Sequence, residues 1–215
     1  MDFSAGSCVR FGWDTFKKRP WFFIGAILLT IVVSGIASRV DAPPTTASYV
    51  STSLTLLGIA GALIGIVASI LVKMGTIQFF LKAHDAPESA KIENLWAPHP
   101  FWTYIIASIV VGVIVVIGVI LLIIPGIIWG LRYMFVPYIV MDKRLGVSAA
   151  LSESARITSG HKWELFILLL IFLGLNILGA ICLIVGLLVS VPVTYLATVH
   201  AYRVLQQKAD ISAAA

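Results

Sequence analysis

The stretch from Phe101 to Met141 constrains this chain most, because its 41 residues contain only one charge, Arg132. As a single helix it would be about 60 Å long, roughly twice the thickness of the hydrocarbon core of a bilayer. The stretch therefore has to fold back on itself. Pro125 and Gly126 predict the turn, because proline interrupts helical hydrogen bonding and glycine permits a tight reversal.

The composition of the whole chain agrees with a membrane location. Hydrophobic residues make up 60% of the 215 residues and charged residues only 12%, whereas a soluble domain carries about a quarter charged residues. So few charges cannot cover a water-soluble globule, and an integral membrane protein is predicted. The basic residues lie in short segments beside apolar runs, so the net charge of +5 does not indicate a nucleic-acid partner.

The apolar runs predict an all-α fold with six transmembrane helices, paired as three hairpins within one domain covering residues 1–215. A cleavable signal peptide is the competing interpretation of the first run. Both that run and the polar segment before it are longer than in such a peptide, so a retained helix is expected. The predicted spans are 21–40, 53–82, 101–123, 127–141, 163–180 and 186–205.

The distribution of cations predicts the orientation. In the six-span arrangement only Arg39 lies on one face, while twelve cations lie on the other. An excess of Lys and Arg marks the cytoplasmic side, so both termini are predicted to lie in the cytoplasm. The twelve cations are Arg10, Lys17, Lys18, Arg19, Lys82, Lys91, Lys143, Arg144, Arg156, Lys162, Arg203 and Lys208.

Aromatic and basic residues mark the same boundary. Trp21, Trp102 and Trp163 each open a span after a short polar segment, where an indole ring lies at headgroup level and keeps its N–H hydrated. Arg156 and Lys162 are predicted to be interfacial as well.

The three tryptophans also indicate that the hairpins repeat a common plan. The segments Gly118–Pro125 and Gly179–Gly186 align with each other, and each contains a predicted hairpin tip.

Two polar segments, 6–18 and 147–158, predict amphipathic helices. In the first, Val9, Trp13 and Phe16 share one helical face. Such a helix lies in the membrane interface with its apolar face toward the acyl chains, or it packs as a connector on the cytoplasmic face of the protein. In the second segment the shared apolar face consists of Val147, Leu151 and Ala155.

The sequence contains no catalytic, phosphate-binding or metal-binding motif, so neither an enzyme nor a cofactor is predicted. Cys8 and Cys182 have no metal or redox spacing. The four histidines are scattered along the chain and are expected to be interfacial or packing residues. They are His84, His99, His161 and His200.

Lys73 and Arg132 are the two cations inside predicted spans. Each lies nine or ten residues from the cytoplasmic end, about 14 Å deep at 1.5 Å per residue. A charge near the bilayer centre is costly, and no carboxylate in the spans is available to pair with it. One hypothesis is that both bind an anionic lipid headgroup, with Arg132 bidentate to the phosphate and Lys73 acting as a point charge. The alternative is that both side chains extend to the interface.

A family resemblance is carried by the segment from Leu121 to Asp142, with sequence LLIIPGIIWGLRYMFVPYIVMD, by AALSESAR (149–156) and by TSGHKW (158–163). The chain resembles bacterial inner-membrane proteins grouped with the membrane domain of glycerophosphoryl diester phosphodiesterase and its uncharacterised relatives. This resemblance covers about residues 100–205 and implies a six-helix fold in the bacterial cytoplasmic (inner) membrane. It implies no catalysis, which in the named enzyme belongs to a separate soluble domain.

These patterns favour a non-catalytic membrane component that binds lipid headgroups, scaffolds partner proteins, or both. The expected partners are membrane lipids, and membrane proteins or further copies of the chain. One alternative is a small transporter or channel for an anionic or amphipathic solute, although the spans offer few polar side chains for a path. A subunit of a larger membrane complex is the other alternative.

Overall fold

The computed structural model describes residues 4–40, 56–85, 100–182 and 186–214. This part of the chain is 91% helix and contains no strand, which confirms the all-α prediction. The helices are α1 (Ala5–Lys18), α2 (Pro20–Val40), α3 (Leu56–Asp85), α4 (Phe101–Leu121), α5 (Ile123–Tyr133), α6 (Val136–Lys143), α7 (Val147–Ile157), α8 (Lys162–Ile181) and α9 (Leu187–Ala214).

Five apolar stretches in the described residues are long enough to cross a membrane, which supports a membrane protein. They lie in α3, in α4, in α5 and α6 together, in α8 and in α9. Helix α2 has the expected position, but its apolar stretch among the residues searched, Pro20–Ile31, is shorter than the other five. The sixth span therefore stays a prediction, and residues 53–55 of the predicted second span lie outside the described residues.

The turn between α4 and α5 lies at Leu122, whose backbone is extended, and not at Pro125 and Gly126. The predicted boundaries 101–123 and 127–141 are wrong here. Pro125 lies in the first turn of α5, where a helix has no use for the N–H that proline lacks. The reversal therefore comes three residues before the proline.

A second break separates α5 from α6 at Met134 and Phe135. Its cause is Pro137, because a proline ring clashes with the carbonyl four residues earlier, here that of Tyr133, the last residue of α5. By contrast, α9 continues through Pro192.

Glycines bring the two helices close together in the α4–α5 hairpin and in the α8–α9 hairpin. A Cβ added to Gly126 would lie 2.5 Å from the Val119 side chain and 2.7 Å from the Val119 nitrogen. A Cβ added to Gly186 would lie 2.5 Å from the carbonyl oxygen of Gly179. Helix α8 ends at Ile181 and α9 begins at Leu187, which agrees with a turn between Gly179 and Gly186.

The core lies where α1, α2, α3, α6 and α9 meet, and it is rich in aromatic rings. Phe80 stacks on Tyr195 with ring centroids 4.9 Å apart, and Phe23 stacks on Phe80 at 6.1 Å. Helices α4 and α8 instead expose apolar faces, as lipid-facing helices do. Their outward side chains include Ile109, Val113, Val116, Ile120, Leu170, Leu173 and Ile177.

Both predicted amphipathic helices form, and both pack against the rest of the protein. The packed face of α1 contains Cys8, Gly12 and Phe16 and lies against α9, while Trp13 stays exposed. The predicted apolar face of α1 is thus divided between the protein and its surroundings.

Helix α7 packs mainly against α6 through Ala150, Ser154 and Ile157. The residues of its predicted apolar face are only half-buried. The packing of both helices favours the connector interpretation.

Gly12 fixes the close approach of α1 to α9, because a Cβ there would lie 2.6 Å from the carbonyl oxygen of Val193. We expect Gly12→Ala to push α1 outward and to lower stability by about 1–3 kcal/mol, as overpacking does. Gly6→Ala on the same helix is the matched control, because a Cβ there meets nothing within 4 Å.

The measurement is thiol labelling of Cys8 in a Cys182→Ser background. Cys8 is fully buried, and burial raises its thiol pKa to about 11, so it should resist labelling in the parent protein. Faster labelling of Gly12→Ala, with Gly6→Ala unchanged, is the expected result. Equal rates in all three proteins would show that Gly12 does not fix this contact.

Candidate functional site

The two cations predicted inside spans lie apart in separate surroundings. Lys73 is exposed on α3, next to the buried Met74, so it points away from the core. Arg132 is exposed at the end of α5, with its guanidinium 5.8 Å from the ring of Tyr133. Across the described ranges, no hydrogen bond or ion pair joins Lys73 to Arg132 or pairs either side chain with a carboxylate. The structure therefore does not form one anion site from them.

Polar contacts from α7 reach the backbone of Arg132. Its carbonyl accepts hydrogen bonds from the Ser154 hydroxyl at 2.8 Å and from the Thr158 hydroxyl at 3.3 Å. This carbonyl lies at the break between α5 and α6, where helical hydrogen bonding is interrupted, and the two hydroxyls satisfy it. Arg132 is thus adjacent to a polar helix and not surrounded by lipid alone.

A groove of about 420 Å³ runs between α5 and the start of α8. Its lining surface is almost entirely apolar, and Lys162 is the one charged residue among the lining residues. In the described part of the chain, Lys162 makes no hydrogen bond or ion pair through its side chain. The lining residues are Ile124, Ile127, Ile128, Leu131, Lys162, Trp163 and Phe166.

The three predicted interfacial tryptophans are strongly exposed at helix starts. Trp21, Trp102 and Trp163 have 84%, 72% and 69% of their surface accessible, in the first turns of α2, α4 and α8. Such exposure is unfavourable in water but suits an indole at a membrane interface. Trp163 also stacks on Phe166 at 5.7 Å, which fixes one wall of the groove.

Arg156, also predicted to be interfacial, is engaged within the protein. Its guanidinium donates to Glu153 at 2.9 Å, to Asp210 at 2.7 Å and to the Ala209 carbonyl at 3.2 Å. These bonds raise the Arg156 pKa further and join α7 to the end of α9. Glu153 also accepts a hydrogen bond from Lys143 at 2.8 Å.

We call Lys143, Glu153, Arg156 and Asp210 the Glu153 cluster. Hydrogen bonds from Arg156 are the largest effect on the Glu153 pKa and lower it to about 2, burial opposes them, and the hydrogen bond and charge of Lys143 lower it further.

A second charged group, the Arg203 cluster, consists of Asp85, Asp142, Tyr202 and Arg203. Arg203 binds Asp142 in a bidentate manner, at 2.7 and 3.0 Å, and it also binds Asp85 through Nε and Nη2. The Tyr202 hydroxyl donates to Asp142 at 2.9 Å. The cluster therefore joins the ends of α3 and α6 to α9.

Two of the histidines meet beside this cluster. His84 Nε2 lies 3.1 Å from His200 Nδ1, and His84 Nδ1 lies 3.2 Å from the Asp85 carboxylate. Phe11 of α1 stacks on His200 with ring centroids 4.0 Å apart. The prediction of packing residues fits this arrangement for His84 and His200, which help to join α1, α3 and α9.

Sequence reasoning missed both clusters as connected groups. Asp85, Asp142 and Arg203 each lie near the predicted cytoplasmic end of a span, which was a usable signal that they share one side. The pairing itself depends on which helices are neighbours, and a single sequence does not contain that information.

The comparisons with known proteins identify a family and assign no activity. The model of a family described as a protein of unknown function, DUF975, matches residues 11–209. The chain belongs to this family. The DUF975 match includes the groove and the whole Arg203 cluster. Neither the search of curated proteins nor the search of solved structures finds a match.

Arg203→Gln should weaken the junction of α3, α6 and α9. The change leaves the Asp85 and Asp142 carboxylates close together without their cation, and we expect a loss of about 1–3 kcal/mol, because an unpaired, partly buried charge is costly. The measurement is thermal unfolding in detergent. Arg10→Gln is the control, because the Arg10 side chain is 86% exposed and should contribute under about 0.5 kcal/mol. Similar losses in the two variants would contradict the role of the Arg203 cluster.

The lowered Glu153 pKa predicts an acid-sensitive contribution to stability. A carboxyl group whose pKa falls to about 2 on folding stabilises the protein above its usual pKa of 4.5. That contribution is lost as the pH falls from about 4.5 toward 2. The difference in melting temperature between wild type and Glu153→Gln should therefore be largest near pH 6 and should shrink below pH 4. A difference independent of pH would show that Glu153 is not ionised in the folded protein.

Proposed function

We propose that this DUF975 protein is a non-catalytic integral membrane component that binds anionic phospholipid headgroups at the cytoplasmic side of the bacterial inner membrane. The observation that carries the proposal is the row of exposed tryptophans opening α2, α4 and α8, with exposed cations beside those of α2 and α8. Indole rings anchor helix ends at headgroup level, and adjacent cations attract anionic lipids. Cytoplasmic termini and a sixth span formed by α2 belong to the same proposal.

The polar side chains of the spans favour this proposal over transport. Asn176 donates to the Phe172 carbonyl and accepts from Ser190, while Thr76 and Thr194 donate to carbonyls of their own helices. Groups satisfied in this way leave little to line a hydrated path. The set of polar residues available to a solute is thus smaller than the sequence alone suggests, and transport stays the alternative.

Scaffolding of partner proteins and assembly into a larger complex remain compatible with the exposed apolar face of α4. The resemblance to the membrane domain of glycerophosphoryl diester phosphodiesterase also stays a prediction. Lys73 and Arg132 are not required by the proposal, because the structure gives them no common site.

The test is native mass spectrometry of protein purified from membranes with equal amounts of phosphatidylglycerol and phosphatidylcholine. We expect the wild type to retain the anionic lipid several-fold more. Changing Lys17, Lys18 and Lys162 together to glutamine should remove most of this preference, because each cation near the surface contributes about 1 kcal/mol. The matched control changes the same three residues to arginine and keeps the charge. A wild type without preference for the anionic lipid would overturn the proposal.

A further inference from the structure

Resting on the proposed function, we infer that the groove between α5 and α8 is a specific site for one anionic phospholipid. An acyl chain lies along the isoleucines of α5, and the ammonium of Lys162 binds the phosphate. The site is distinct from the pair Lys73 and Arg132 that the sequence suggested.

The shape of the groove suits an acyl chain. Ile124, Ile127, Ile128 and Leu131 follow the spacing i, i+3, i+4 and i+7, so they form one continuous apolar face of α5. Trp163 and Phe166 form the opposite wall, and the volume of about 420 Å³ lies in the range of small-molecule sites. The lining offers a hydrocarbon chain no polar group other than Lys162.

Three fixed contacts keep the groove from closing. The glycine contact between α4 and α5 holds one side of α5 against α4. The break before Pro137 ends α5 after 11 residues, and the hydroxyls of Ser154 and Thr158 hold its last turn through the Arg132 carbonyl. Beside the remaining face of α5, a space stays open next to Lys162, Trp163 and Phe166 of α8.

Charge complementarity identifies the ligand as anionic. Lys162 is exposed and has no ion pair with any residue that the structure describes, so its ammonium is available to a phosphate. Glu164, the acid nearest to it in α8, is two residues away, and residues at that spacing do not face each other on a helix. The neighbouring Trp163 adds an indole ring at the level where a headgroup would lie.

The experiment separates the charge of the site from its shape. With phosphatidylglycerol as probe, Lys162→Gln should lower retention in native mass spectrometry about fivefold, the effect of one surface cation. Ile127→Trp should lower retention by filling the groove without changing any charge. The controls are Arg10→Gln, an exposed cation on α1 that the proposed function does not use, and Ile109→Trp on the outer face of α4. Ile127 and Ile109 are 41% and 59% exposed, so both tryptophans are compatible with folding.

Loss of phosphatidylglycerol in both groove variants but in neither control is the expected outcome. If Lys162→Gln and Arg10→Gln lower retention equally and Ile127→Trp has no effect, the groove is not a site, although the proposed function stands. If the wild type shows no anionic preference, the proposed function fails and the groove proposal fails with it. Melting temperatures of all four variants within a few degrees of wild type exclude misfolding as the cause.

Discussion

The binding of two carboxylates by the Arg203 guanidinium is the interaction on which the helix arrangement depends most. The carboxylates come from Asp85 at the end of α3 and Asp142 in α6, while Arg203 belongs to α9. Ion pairs of this kind add little net stability over apolar residues of the same size, because both partners lose hydration. They do determine which helices meet, since any other pairing would leave charges unpaired. That selectivity matters in a bilayer, where lipid provides little hydrophobic drive for helix association.

Small residues determine how closely the helices that the ion pairs select can approach each other. Where Gly12 meets Val193, and where Gly179 meets Gly186, the backbones approach so closely that a methyl group would overlap a carbonyl oxygen. Dispersion contacts at such short range replace the hydrophobic drive that water would provide. Charges at the helix ends thus select neighbours, and glycines at the points of closest approach set the distances between helices.

The elements that the sequence predicted well are those determined by local chemistry. The starts of α2, α4 and α8 follow from apolar runs beginning at tryptophans, and the bounds of α1 and α7 agree with the predicted 6–18 and 147–158 to within one residue. Where a local rule allows two outcomes, prediction failed. Pro125 is compatible with a turn or with the first turn of a helix, and tertiary packing through Gly126 selects the second.

Contacts between distant parts of the chain could not be predicted from the sequence for a different reason. The hydrogen bond between His84 and His200 joins residues 116 positions apart, and nothing in either local segment indicates the other. The groove also cannot be predicted from the sequence, because it forms between α5 and α8, which are neighbours only in the fold. Lys162 was predicted as an interfacial cation from its position, but its place at an apolar groove required the fold.

The distribution of charge separates the cations that hold the protein together from those that face its surroundings. The Arg203 and Glu153 clusters contain four carboxylates and three cations, so they bear a net negative charge of their own. With 15 cations and 10 acids in total, the rest of the chain has six more cations than acids. The net positive charge of the protein therefore comes from residues outside the Arg203 and Glu153 clusters. Arg156 is neutralised by Glu153 and Asp210 and has little left for a headgroup, whereas Lys162 keeps its full charge beside an apolar surface. Anionic lipid should therefore bind to unpaired cations such as Lys162 and not to paired ones such as Arg156.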